Sequence, residues 1–64
     1  MSLENAAYNA YMKADIRKIK ASSENNRFNN LFMLGYDGKK LPKYIKKTDL
    51  IYGIYKAGKE RGSR

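Results

Sequence analysis

Apolar side chains recur at steps of three and four residues through the first third of the chain. This spacing places them on one face of an α-helix, because an α-helix completes a turn in about 3.6 residues. Ser2 is a suitable N-cap, and Glu4 lies in the first turn, where the helix dipole favours an anion. The pattern predicts a helix over residues 3–20, with an apolar face formed by Leu3, Ala7, Tyr8, Tyr11, Met12, Ile16 and Ile19.

The polar segment ASSENN separates this helix from a second, shorter apolar pattern. Ser22 or Ser23 can cap a helix over residues 23–34, and Gly35 stands where a left-handed residue is wanted at its end. The apolar positions are Phe28, Leu31, Phe32 and either Met33 or Leu34. The opposite face carries amides that serve as uncharged surface or, alternatively, read adenine edges. These amides are Asn25, Asn26, Asn29 and Asn30.

Thr48 opens the third predicted helix, which covers residues 48–58. Thr48 is a good N-cap, and Asp49 complements the dipole at the first helical position. An apolar stripe follows, formed by Leu50, Ile51, Ile54 and Tyr55. We expect Gly58 to stop the helix and the tail, residues 59–64, to fray because it has no apolar side chain.

Residues 36–47, YDGKKLPKYIKK, join the second and third helices. They form either a β-hairpin that turns at Asp37-Gly38, which implies an α+β fold, or an extended connector. We favour the connector, because Pro42 interrupts one flank and the other flank, LFMLGY, is too continuously apolar for a solvent-facing strand. The expected fold is a single small all-α domain over residues 1–64, with three helices and a basic extended connector.

The residue types that are missing limit the chemistry of the chain. It contains no cysteine and no histidine, and its six acidic residues are scattered without close pairs. Disulfides, thiolate metal sites and the commonest general base are therefore unavailable. A chain of 64 residues also has a marginal core, since it buries only about 60% of its unfolded surface. We expect no catalytic residue, no metal site and no cofactor, and hence not an enzyme.

The net charge of +8 is unevenly distributed along the chain. Residues 1–34 carry five basic and three acidic side chains, a net +2, whereas residues 35–64 carry nine and three, a net +6. Such an imbalance indicates an anionic partner. No apolar run approaches the about 18 residues of a membrane span, and the first residues do not resemble a secretory signal. We expect a cytoplasmic protein with no membrane partner, and association with the nucleoid would fit its charge.

The lysines of the connector lead into the start of the third helix. A helix N-terminus attracts phosphate through free N–H groups and the dipole, and lysines add affinity without base discrimination. Tyr36 and Tyr44 can stack on unpaired bases or, alternatively, complete the core. The candidate nucleic-acid-binding residues are Lys39, Lys40, Lys43, Tyr44, Lys46, Lys47 and Thr48.

A short helix ending in Leu-Gly-Tyr, a basic connector and the run Lys-Thr-Asp-Leu-Ile-x-x-Ile resemble the helix–extended loop–helix family. This family includes SAP domains, LEM-like modules and the N-terminal subdomain of Rho-type terminators. The resemblance covers residues 27–58 and places Lys47 three residues before Leu50 and Ile51. It departs from SAP domains at Pro42 and at Ile45-Lys46-Lys47, which replaces a Gly-x-Lys. It implies binding of DNA or RNA through the connector and the start of the following helix.

Two functions remain open from the sequence. The first is a non-enzymatic protein that binds the phosphate backbone of DNA or RNA with little base specificity. The second is a protein–protein interaction module that docks on an acidic surface of a host protein. The frequent Lys, Asn, Ile and Tyr are typical of an AT-rich coding source such as a phage or plasmid. Seven apolar positions on the 3–20 helix add a third hypothesis, a homodimer that forms through that face.

Overall fold

The computed structural model describes residues 2–63, which form four α-helices and contain no β-strand. The helices are α1 (Leu3–Lys13), α2 (Ile16–Ser22), α3 (Arg27–Tyr36) and α4 (Asp49–Gly62). The predicted all-α class is confirmed, and the alternative with a hairpin at Asp37-Gly38 is wrong. Within residues 2–63, no helix has the length and apolar character needed to cross a lipid bilayer.

The helix predicted over residues 3–20 is broken into α1 and α2. Ala14 adopts an extended conformation, with ψ of 152°. Asp15 then caps α2, because its carboxylate accepts a hydrogen bond of 2.9 Å from the backbone amide two residues later. The apolar spacing does not reveal this break, since Ile16 and Ile19 still face the core after it.

Helix α3 begins four residues later than predicted because its cap is Asn26. The Asn26 side chain accepts hydrogen bonds from the backbone amides of Phe28 and Asn29, at 3.0 and 3.2 Å. The predicted caps, Ser22 and Ser23, lie at the end of α2 instead, and both hydroxyls donate to carbonyls of its last turn. A serine next to a polar segment can serve either helix end, and here the asparagine provides the start.

A left-handed glycine ends α3, but it is Gly38 rather than the predicted Gly35. Gly38 has φ of 75°, in the region that side chains with a Cβ avoid. Its amide donates to the Gly35 carbonyl at 3.0 Å, and the Lys39 amide donates to the Leu34 carbonyl at 2.9 Å. This is the Schellman pattern of a helix C-terminus. Gly35 itself is buried within α3.

The core forms where α4 packs against both α1 and α3. Tyr11 of α1 stacks on the fully buried Phe32 of α3, with ring centroids 5.5 Å apart. The Tyr11 hydroxyl donates to the Asn29 side-chain oxygen at 2.7 Å, and the Asn29 side-chain amide donates to the Ser22 hydroxyl at 2.6 Å. These two side-chain hydrogen bonds link α1, α2 and α3. Burial raises the pKa of Tyr11 above its ordinary value of 10.0. The buried apolar residues are Ala7, Ile19, Leu31, Phe32, Ile54 and Ala57.

Helices α3 and α4 run in the same sense and touch through their backbones. Phe32 lies against Gly58, and Tyr36, one turn further along α3, lies against Gly62, one turn further along α4. A Cβ at Gly58 would overlap the Phe32 carbonyl oxygen, and a Cβ at Gly35 would lie 2.9 Å from the backbone nitrogen of residue 59. Gly58 is therefore not the predicted stop of α4, which continues to Gly62.

The apolar face predicted over residues 3–20 packs inside the chain. Ala7 and Ile19 are buried, and the other members of that face contact the core, apart from Leu3, which is 64% exposed. Six of the seven apolar positions behind the homodimer hypothesis therefore pack within the chain, and the homodimer itself stays a prediction.

Arg61 joins the C-terminal part of α4 to the end of α1. Its guanidinium donates to the carbonyls of Tyr11, at 2.9 Å, and of Ala14. The last carbonyls of a helix have no partner within the helix, so Arg61 supplies one. Residues 59–62, in the tail predicted to fray, are helical, and Arg64 lies outside the described residues.

Replacing Gly58 with alanine tests the backbone contact between α3 and α4. An alanine at an unobstructed helical glycine would stabilise the protein by about 1 kcal/mol through helix propensity. Because the Cβ would overlap the Phe32 carbonyl oxygen, we expect Gly58→Ala to lower the free energy of unfolding by about 1–3 kcal/mol. Thermal denaturation followed by circular dichroism measures the change. A higher melting temperature would show that the helices do not meet at Gly58.

Replacing Arg61 with methionine tests the bridge to α1. The change removes two charge-assisted hydrogen bonds and leaves partly buried carbonyls without a donor, so we expect a loss of about 1.5–3 kcal/mol. Arg17→Met is the matched control, because it removes the same charge from a side chain that is 95% exposed. Urea denaturation of both variants should show a much larger loss for Arg61→Met. Equal losses would mean that Arg61 contributes only its charge.

Candidate nucleic-acid interface

The basic connector covers residues 37–48 and is fixed to the core along its length. The Tyr55 hydroxyl of α4 donates to the Lys39 carbonyl, which holds the first part of the connector. Further along, Leu41 and Ile45 are half-buried against the core. The connector is therefore a positioned surface segment, and its lysines project from a defined backbone.

A tight turn in the middle of the connector presents an aromatic ring to solvent. The Ile45 amide donates to the Pro42 carbonyl at 3.2 Å, which closes a turn over Lys43 and Tyr44. Ile45 points towards the core, whereas Tyr44 is 87% exposed. Tyr44 therefore does not complete the core, which was one of its two predicted roles. Tyr36, the other predicted stacking residue, packs on Phe32 with ring centroids 6.2 Å apart.

A groove of about 370 Å³, here called the connector groove, lies between the connector, the first turns of α3 and the start of α4. Its floor is apolar and is formed by Leu31, Ile45 and Ile51. Its rim consists of four exposed side chains, Arg27, Asn30, Tyr44 and Lys46. No acidic side chain of the described chain lines it, so the groove combines an apolar floor with a rim that carries two cations.

The predicted site residues divide into two groups around this groove. Tyr44 and Lys46 line it, and Lys43 shares the turn with Tyr44. The remaining predicted residues are exposed but do not line the groove. They are Lys39 and Lys40 near the end of α3, and Lys47 and Thr48 at the start of α4.

The N-terminus of α4 is partly occupied by its own cap. The Thr48 hydroxyl oxygen accepts a hydrogen bond of 3.3 Å from the Ile51 amide, so this amide is not free for a phosphate as the sequence predicted. A hydroxyl that accepts a bond still has a proton to donate. Thr48 can therefore contact an anion through its own O–H group, beside the exposed Asp49.

Arg27 is a member of the rim that the sequence did not indicate as a site residue, whereas Asn30 belongs to the amides that were given adenine reading as one alternative. The predicted amide face does not exist as a unit, because Asn26 caps α3 and Asn29 joins Tyr11 to Ser22. Asn30 remains exposed and lines the groove. The sequence does contain a signal for Arg27. Arg27 and Leu31 are four residues apart, so the cation lies one helical turn from a core residue on the same face of α3.

No protein-family model matches this sequence, and neither the curated proteins nor the solved structures contain a significant match. The resemblance to the helix–extended loop–helix family therefore stays a prediction. Within residues 2–63 no group of three His, Cys, Asp or Glu side chains is arranged as a metal site requires.

Proposed function

We propose that this chain is a non-enzymatic nucleic-acid-binding protein that contacts the sugar–phosphate backbone through the basic connector and the rim of its groove. The observation that carries the proposal is the exposure of all five connector lysines beside a groove with a cationic rim and no acidic lining residue. Phosphates are the partners that such a surface attracts over the longest range. Lysine acts as a point charge, so little base discrimination is expected from these contacts.

The side chains proposed to contact phosphates follow one another along the connector. Lys43 and Lys46 flank Tyr44, and Lys47 and Thr48 follow at the start of α4. Arg27 adds a guanidinium from α3, and guanidinium groups can hold a phosphate through two parallel hydrogen bonds. One strand of nucleic acid that follows the connector would meet a positive side chain at nearly every step.

The charge-neutral triple variant K43Q/K46Q/K47Q tests this interface. If each lysine neutralises one phosphate, the slope of log K against log salt concentration should shrink by about 2–3, because each contact contributes about 0.7–0.9. Fluorescence anisotropy with a labelled oligonucleotide at several salt concentrations measures the slope.

The matched control is K13Q/K18Q/K20Q, which removes three exposed lysines from α1 and α2. Its net charge equals that of K43Q/K46Q/K47Q. We expect its affinity and slope to stay close to those of the unmodified chain. Equal losses in the two triple variants would mean that net charge alone drives binding and would remove the proposed interface. Absence of binding by the unmodified chain at low salt would remove the proposed function.

A second candidate function is docking on an acidic surface of a host protein, as a small phage- or plasmid-type factor would do. The exposed aromatic residues favour it, because Tyr44 is 87%, Tyr52 44% and Phe28 41% exposed, and aromatic side chains are enriched at interface hot spots. Weak dependence of affinity on salt, with a strong dependence on these aromatic residues, would favour protein docking over nucleic-acid binding.

A further inference from the structure

We infer that the connector groove receives one unpaired nucleobase, so that the preferred ligand is single-stranded rather than duplex nucleic acid. This inference rests on the proposed function and specifies its ligand. It follows from the shape of the groove, the exposure of Tyr44 and the positions of the polar groups on the rim.

The size and lining of the groove suit a flat organic ring. Its volume of about 370 Å³ lies at the lower end of the roughly 300–1,000 Å³ range of pockets that hold small ligands. Leu31 forms a buried part of the floor, and Ile45 and Ile51 are half-buried. An aromatic base placed on this floor would remove apolar surface from water, which favours binding.

Tyr44 provides the face on which such a base can stack. The residue is 87% exposed and lines the groove, so its side chain makes little packing contact in the free protein. Stacking of a base on an aromatic side chain is tolerant of sequence, since every base has a π-face. Asn30 places an amide on the same rim, and an amide can both donate to and accept from the edge of a base.

The charged groups lie where a nucleotide would carry its phosphates. Arg27 and Lys46 come from α3 and from the connector, and both belong to the exposed rim rather than to the floor. A base on the apolar floor would leave its negatively charged backbone at the rim beside these cations. The complementarity favours a nucleic acid over an apolar peptide segment as the occupant, because a peptide would leave both cations unneutralised.

A single strand meets these requirements more easily than a duplex. Bases in a duplex are stacked on both faces and expose only their edges, so a base must first be unstacked and unpaired before it can enter a pocket. A single strand avoids most of that free-energy cost. The phosphate contacts of the connector are available to either form, but the groove distinguishes between them.

Replacing Tyr44 with alanine separates base stacking in the groove from phosphate binding by the connector. We expect Tyr44→Ala to weaken binding of a labelled single-stranded 12-mer by roughly 5- to 150-fold, the equivalent of the usual stacking contribution per base. Affinity for the matching duplex should change less than twofold, and Tyr44→Phe should retain single-strand binding. Anisotropy titrations with single-stranded DNA, single-stranded RNA of the same sequence and the DNA duplex measure these affinities.

Tyr52→Ala is the matched control, because it removes a tyrosine that is 44% exposed on α4 and does not line the groove. It should leave single-strand affinity unchanged. In a titration followed by methyl NMR of the unmodified chain, Leu31, Ile45 and Ile51 should show the largest shifts with the single strand.

The outcomes separate the inference from the function on which it rests. Equal affinity for duplex and single strand, with the same response to Tyr44→Ala, overturns the base site and leaves phosphate-backbone binding in place. Methyl shifts centred away from the groove also overturn it. Failure of the unmodified chain to bind any of the three ligands overturns the proposed function together with the inference.

Discussion

The structure depends on the close approach of α4 to its two neighbouring helices. Gly58 meets the backbone of α3, and Gly53 meets the backbone of α1, where a Cβ would lie 3.1 Å from that of Ala7. Each interior glycine lowers helix stability by about 1 kcal/mol relative to alanine. The three helices gain backbone-to-backbone contact in return, and dispersion energy is large when many atoms meet at close range. Such contact suits a chain whose largest fully buried side chains are only Phe32, Leu31 and Ile54.

This packing also determines the course of the connector. Helices α3 and α4 run in the same sense, so the chain must return from the end of α3 to the level of its start before α4 begins. Ten residues of α3 rise about 15 Å, and residues 37–48 cover this distance on the surface. Only Leu41, Pro42 and Ile45 are sheltered along the way, which leaves the lysines exposed. The connector reaches α4 opposite the first turn of α3, and the groove forms between them.

The sequence predicts the helical class, the Thr48 cap and the basic connector because these depend on local signals. Apolar spacing, a threonine before an aspartate and a proline inside a lysine-rich segment each act over a few residues. The same local signals misplace the roles of two glycines. Gly35 and Gly58 follow apolar patterns and therefore resemble helix ends, whereas their role is to admit a neighbouring backbone. That role depends on residues twenty or more positions away in the sequence and has no local signature.

The candidate site also combines residues that local sequence signals reveal with a residue that only the packing of the helices brings in. The connector lysines and Tyr44 are recognisable along the sequence, but Arg27 joins them only because α3 packs beside the start of α4. Solubility alone accounts for lysines on a small domain, yet it does not account for a tyrosine that is 87% exposed. Nor does it account for two cations on the rim of an apolar groove that no acidic side chain of the described residues lines. A bound polyanion would lie beside both cations and cover the ring. The anionic ligand proposed above would use both features of the connector groove, the exposed ring and the cationic rim.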